Sequence, residues 1–168
     1  MSAHGTPLIV VMGPTACGKS TVGAALAEAL GVPFVDGDGL HPDANVAKMA
    51  AGIPLDDDDR WPWLDRVGST LDDARAGRGV VVACSALKRA YRDRIRAAAP
   101  GASFLELVLT AEEAARRSAS RTDHFMPASL VASQFAALEP LGPDEPGERV
   151  DATRGVAAIV AAALASLA

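Results

Sequence analysis

Two short segments carry residue types and spacings that chemistry can use. The first is GPTACGKS, residues 13–20, directly after the apolar run PLIVVM. Gly13 and Gly18 frame Pro14, Thr15, Ala16 and Cys17, and Lys19 and Ser20 follow. This is the G-x-x-x-x-G-K-[ST] pattern, with a strand expected before it and a helix after it. The glycines let the backbone curl so that its N–H groups point at phosphate oxygens. A helix opening near Lys19 adds the positive end of its dipole. The Lys19 ammonium reaches the β- and γ-phosphates, and the Ser20 hydroxyl is a ligand for Mg²⁺. Thr21 is the next hydroxyl, placed for the α-phosphate. Cys17 lies where a helix N-terminus acts on its thiol, but its plainer role is that of a small loop-filling residue.

The second segment is DGDGLHP, residues 36–42, at the end of the short apolar run PFV. In parallel α/β sheets ligands gather at the carboxyl ends of strands. If the strand continues through this segment, Asp36 and Asp38 point to one side, toward the γ-phosphate. Phosphoryl transfer to an alcohol needs one carboxylate near the attacking hydroxyl and another to hold the metal or its waters. Asp36 is therefore expected near Mg²⁺ and Asp38 as the base. A pair of turn aspartates beside glycines is the bland alternative. His41, Asn45 and Lys48 share one polar helix face, and Val46, Met49, Ala50 and Ile53 a separate apolar face. In the following GIPLDDDDRWPWL (52–64), Arg60 offers a planar donor fork suited to a carboxylate. Trp61 and Trp63 read as packing residues. The aspartates read mostly as solvated charges at the start of a helix near residue 60.

The elements that must position these residues follow from the hydrophobic pattern. Strands are expected at 7–12, 33–36, 79–84, 103–109 and 148–152, several of them continuously apolar, as when both sheet faces are covered. Helices are expected near 19–30, 42–51, 60–76, 88–98, 111–120, 127–138 and 154–167, with Gly31, Gly52 and Gly77 at their ends. Strand alternating with helix predicts a parallel α/β sheet with right-handed crossovers, in one domain over residues 1–168. The chain has 168 residues, 49% of them apolar, and a net charge of −5. That balance suits a folded domain and disfavours nucleic acid or an anionic membrane as partner. The two cysteines, Cys17 and Cys84, make no disulfide framework. With no basic region before the first apolar run, and a C-terminal apolar stretch too short to span a bilayer, a cytoplasmic protein is expected.

The loop alone leaves three classes open: a kinase with a second substrate, a nucleotide switch, or a non-catalytic nucleotide-binding module. No N-K-x-D guanine motif occurs, and the D-x-x-G matches at 65–68 and 144–147 follow no apolar strand. The second polar site favours a kinase.

The block DGDGLHPDANVAKMAAGIPLDDDDRWPWL resembles the central signature of gluconate kinases, and the likeness continues in CSALKRAYRDRIR (84–96), HFMPASLVASQF (124–135) and LE (138–139). A shikimate kinase of the same fold, which also carries D-x-D after its second strand, lacks the long middle block. The resemblance implies a P-loop fold of the nucleoside-monophosphate-kinase type, with a five-stranded parallel sheet and a lid at about 117–126. It implies transfer of the γ-phosphoryl of ATP to the 6-hydroxyl of D-gluconate, with Mg²⁺, by a homodimer. Residues Gly13 to Thr21 then hold ATP, and Asp38 meets the sugar hydroxyl. His41, Lys48 and Arg60 line the sugar-acid pocket, and Ser85 and Lys88 face the same cleft, with Arg89 a further local cation. Arg117 and Arg121, i and i+4, clamp the phosphates, while Arg116 is a surface charge and His124 lies beyond. Glu112 and Glu113 read as helix-start charges only. Adenine is expected near Thr153 and Arg154. The phosphate loop lacks a Gly-Ser-rich middle, which backbone binding tolerates.

Overall fold

The structure is a computed structural model that describes residues 5–120 and 128–167. The chain runs β1 (Leu8–Met12), α1 (Lys19–Leu30), β2 (Phe34–Asp36), a 3₁₀ turn (Gly37–Leu40), α2 (Asp43–Ala50) and α3 (Asp57–Ala74). It continues with β3 (Val80–Ala83), α4 (Arg89–Ala98), β4 (Ser103–Val108), α5 (Ala111–Ala119), α6 (Ala128–Ala137), β5 (Gly147–Asp151) and α7 (Val156–Leu167). All five strands are parallel, in the order β2-β3-β1-β4-β5. β1 therefore lies at the point where the order reverses, and the loop leaving it opens into the crevice where such sheets bind ligands.

Both faces of the sheet are covered, which is why the strand runs are continuously apolar. Successive β1 side chains alternate between two cores. Leu8, Val10 and Met12 pack with Trp63, Leu64, Val67 and Leu71 of α3 and Tyr91 and Ile95 of α4. Ile9 and Val11 pack with Val22 and Leu26 of α1 and Ile159 and Val160 of α7.

The start of α3 differs from the sequence expectation, and the end of β2 decides where two aspartates point. α3 begins at Asp57 because Asp56 and Asp59 form a capping box: Asp59 N–H donates to Asp56 at 2.8 Å, and Asp56 N–H to Asp59 at 3.1 Å. Two orphan donors are thereby satisfied before the apolar face begins. β2 ends at Asp36, as expected, and does not carry through Asp38. The Asp36 carboxylate accepts the Asp38 N–H at 3.0 Å and turns the chain into the 3₁₀ turn. Gly37 is forced there, since a Cβ would stand 2.3 Å from the Ala83 carbonyl oxygen.

The apolar face of α2 points outward, with Val46 50% and Met49 44% exposed, and Ile53, just beyond the helix, is also 50% exposed. Among the described residues, no helix is long and apolar enough to cross a membrane.

Candidate active site

The phosphate loop packs tightly onto the sheet. Gly13 has φ 143°, and a Cβ there would meet Cys17 Sγ at 2.8 Å and the Leu107 carbonyl oxygen at 3.0 Å. Its N–H donates to the Ser85 carbonyl at 3.2 Å, tying the loop to the end of β3. Lys19 Nζ donates to the Pro14 carbonyl at 3.0 Å, and the Thr15 N–H to Gln134 Oε1 at 2.6 Å. Cys17 is buried and fills the loop as expected. Burial pushes its thiol up, against the pull of Lys19 and Arg117. Burial pushes the Cys84 thiol up to about 12, with Lys19 acting against this and Asp38 adding to it.

Ser20 and Asp36 meet across the crevice: Ser20 Oγ donates to Asp36 Oδ2 at 3.2 Å. The same-side strand geometry expected of Asp36 and Asp38 is absent, because the 3₁₀ turn intervenes. Asp38 is exposed, and among the described residues its carboxylate accepts no hydrogen bond. The Ser20–Asp36 pair is a hard oxygen donor set, and among the described residues there is no cluster of three or more His, Cys, Asp or Glu that would hold a metal alone. This fits Mg²⁺, which takes one or two protein oxygens and completes its shell with phosphate oxygens and water.

Beyond the turn, His41 stacks on Trp63 with ring centroids 4.2 Å apart, and Trp63 Nε1 donates to the Gly37 carbonyl at 2.8 Å. Asn45 spends its two amide hydrogens on His41 Nδ1 at 3.1 Å and the Asp59 carbonyl at 2.8 Å. His41 Nδ1 is therefore an acceptor and its proton sits on Nε2. Burial lowers its pKa, with Asp38 acting against this and Arg60 adding to it. Lys48 Nζ pairs with Asp59 at 2.7 Å and joins α2 to α3.

A cleft of about 470 Å³ lies between the start of α3 and the start of α4, lined by Leu55, Asp56, Asp57, Asp58, Arg60 and Lys88. It brings Arg60 and Lys88 together, whereas His41 and Lys48 are not among its lining residues. Tyr91, which sequence reasoning did not single out, organises it. Its hydroxyl donates to Asp57 Oδ1 and accepts from Arg60 Nη1 at 3.0 Å. Lys88 Nζ reaches the same Asp57 oxygen at 3.3 Å. The Asp57 carboxyl is held low by the Tyr91 hydrogen bond and, against partial burial, by Lys88 and Arg60. Arg89 turns away, bonding Asp144 through Nη1 at 2.9 Å. Ser85 contributes its carbonyl to the loop contact above.

Arg117 lies at the end of α5 against the phosphate loop. Its guanidinium donates to Glu113 at 3.1 Å, the Ala152 carbonyl at 3.1 Å and the Ala16 carbonyl at 3.4 Å. Glu113 is thus more than a helix-start charge: hydrogen bonds from Arg116 and Arg117 hold its carboxyl at about 2. Arg116 is a surface charge, 71% exposed. Arg121, His124 and the part of the expected lid beyond Ser120 lie outside the described residues. Near the expected adenine segment, the Thr153 hydroxyl donates to Asp151 at 2.7 Å.

A family model described as an AAA domain matches residues 8–141. The chain is 48% identical over 143 residues to a gluconokinase of Gluconobacter oxydans (strain 621H), covering 84% of this chain and 80% of that one. The solved structure of a gluconokinase from Sinorhizobium meliloti 1021 superposes with a TM-score of 0.86 at 48% identity, covering 98% of this chain and 93% of that one. A sugar kinase from Janibacter sp. gives a TM-score of 0.90 at 42% identity, covering 96% of this chain and 94% of that one. The parallel five-stranded sheet with a phosphate loop at its reversal point is thus the P-loop kinase fold, as its sequence pattern predicts. With close to half its residues shared along most of its length, the chain belongs to the gluconokinase family.

Proposed function

We propose that this chain transfers the γ-phosphoryl group of ATP to the 6-hydroxyl of D-gluconate, giving 6-phospho-D-gluconate and ADP. One observation carries the reading most directly: a phosphate loop and a cleft holding Arg60 and Lys88 open at the same end of the sheet. A polyol acid needs both kinds of group that line this cleft. Its carboxylate takes Arg60 and Lys88, and its hydroxyls donate to aspartates.

In the proposed reaction Gly13, Pro14, Thr15, Ala16, Cys17, Gly18, Ser20 and Thr21 form the wall that orients the triphosphate. Lys19 and Arg117, with Arg121, balance charge on the transferring group. Asp38 accepts the proton of the attacking hydroxyl, consistent with a carboxylate that no described residue engages. Ser20 and Asp36 would hold Mg²⁺, which would supply positive charge to offset that of the phosphates. Arg60, Lys88 and Ser85 seat the sugar acid. His41 and Lys48 support its pocket from behind, through Trp63 and Asp59.

The same reading includes one kinase domain over residues 1–168 with a lid at about 117–126, a cytoplasmic location and a homodimer. The outward stripe of Val46, Met49 and Ile53 supports the dimer, since apolar side chains in a row favour a covering partner.

The test is ADP release with Mg-ATP and a panel of D-gluconate, other hexonates, glucose, shikimate and no acceptor. A large rate with gluconate alone is expected. Activity on another acceptor would keep the phosphate loop and overturn the pocket assignment. Slow hydrolysis indifferent to every acceptor would favour a switch.

A further inference from the structure

One peptide group of the phosphate loop is held at both ends. The Pro14–Thr15 peptide gives its carbonyl oxygen to Lys19 Nζ at 3.0 Å and its N–H to Gln134 Oε1 at 2.6 Å. Gln134 belongs to α6 and lies 119 residues further along the chain, so the contact is tertiary and not local loop closure. The donor fixes the orientation of the amide, because only Oε1 can face an N–H. A carboxamide carbonyl is an uncharged acceptor of the same geometric kind as a phosphate oxygen. One N–H carries one hydrogen, and at this distance Gln134 uses it fully.

The position of this N–H identifies its competitor. Loop N–H groups nearest the start of α1 cradle the inner phosphates, while the lysine reaches the outer ones. The Thr15 N–H shares its peptide with the carbonyl that holds Lys19 Nζ, so it belongs to the outer, terminal-phosphate end. We propose that Gln134 is a positioning residue of the nucleotide site. Its carboxamide exchanges with an oxygen of the terminal phosphate at the Thr15 N–H, and takes that N–H back once the phosphoryl group has moved to the acceptor. The side chain thereby lowers affinity for the triphosphate relative to the diphosphate and keeps the loop donor satisfied throughout the cycle. This inference rests on the reading of residues 13–21 as the triphosphate site.

The experiment is calorimetric titration of the full chain with AMP-PNP and with ADP, each with Mg²⁺, in wild type, Gln134→Met, Gln134→Glu and Lys19→Ala. Methionine keeps the length and removes the acceptor. Gln134→Met is expected to bind AMP-PNP about three- to tenfold more tightly, the worth of one competing hydrogen bond, with ADP changed less than about twofold. Gln134→Glu, which holds the N–H more strongly and repels phosphate, is expected to bind AMP-PNP about tenfold or more weakly. A packing role alone would lower the melting temperature of both variants and leave the AMP-PNP-to-ADP ratio at its wild-type value, and that result overturns the proposal. So does AMP-PNP binding to Gln134→Met that is unchanged or weaker. Lys19→Ala separates the two readings. Lost AMP-PNP affinity there, with neutral Gln134 variants, removes this inference and keeps the site. AMP-PNP affinity retained in Lys19→Ala removes the site and the inference together.

Discussion

At the residue scale, the Asp38 carboxylate carries the sharpest expectation. Asp38→Asn keeps the size and removes the base, so turnover should fall by about 10²-fold or more. Nucleotide affinity should stay within about twofold, because Asp38 is not part of the phosphate loop. Steady-state rates beside a nucleotide titration check this, and near-normal turnover would remove Asp38 as base. Tyr91 gives a second expectation. Its hydroxyl bridges Asp57 and Arg60, so Tyr91→Phe frees the guanidinium to drift. The KM for the sugar acid should rise about three- to tenfold, with kcat and the KM for ATP little changed. The difference between these two residues also explains what the sequence makes visible. Lys19, Ser20, Asp36 and Asp38 sit in compact motifs whose spacing suggests the roles proposed for them. Tyr91 and Gln134 act through partners that spacing cannot show: Asp57 is 34 residues from Tyr91, and Thr15 is 119 from Gln134. Only the fold brings them together.

At the scale of elements, the turn after β2 is the junction on which the site depends. It carries Asp36 and Asp38, receives Trp63 through the Gly37 carbonyl, and passes so close to Ala83 that no side chain fits at Gly37. Gly37→Ala should push the turn away from β3, lowering stability by about 1–3 kcal/mol and reducing turnover at the same time. Urea unfolding and an activity assay check both, and a stable, fully active variant would contradict this geometry. The sequence places β2 and its end at Asp36 but does not show why the strand stops there. Extension is a local preference, whereas the stop comes from Asp36 capping the next turn and from steric contact with β3. The start of α3 has the same origin. The four aspartates read as a solvated run until the reciprocal Asp56–Asp59 bonds show a cap. Asp57 and Asp59 are then fixed toward Lys88 and Lys48.

At the scale of the whole molecule, the segment between α6 and β5 is bound to α4 by charge. Arg92 is fully buried, and its guanidinium donates to Glu145 at 2.8 and 3.0 Å, with Arg96 adding a third bond. Burial alone would push the Glu145 carboxyl up, but the bonds from Arg92, the Gly142 N–H and Arg96 prevail and hold it at about 2. A carboxyl lowered from 4.5 to about 2 contributes stability that is complete above 4.5 and is lost as pH falls toward 2. Urea midpoints of the wild type should therefore drop across that window. Glu145→Gln should be less stable at neutral pH by about 3–5 kcal/mol, since Arg92 stays buried without its partner. Its curve should be flatter and approach the wild type in acid, and parallel curves would argue against this pair as the acid-sensitive link. The two thiols add a consequence at this scale. Cys17 belongs to the core under α1 and α7, and Cys84 to the core under α3 and α4. Both are free, buried and pushed toward high pKa, so neither should react with an alkylating reagent until its own layer opens. Pulsed alkylation with mass readout would then report the opening of each layer separately, without any introduced label. Equal labelling rates would mean that the two faces of the sheet unfold as one cooperative unit.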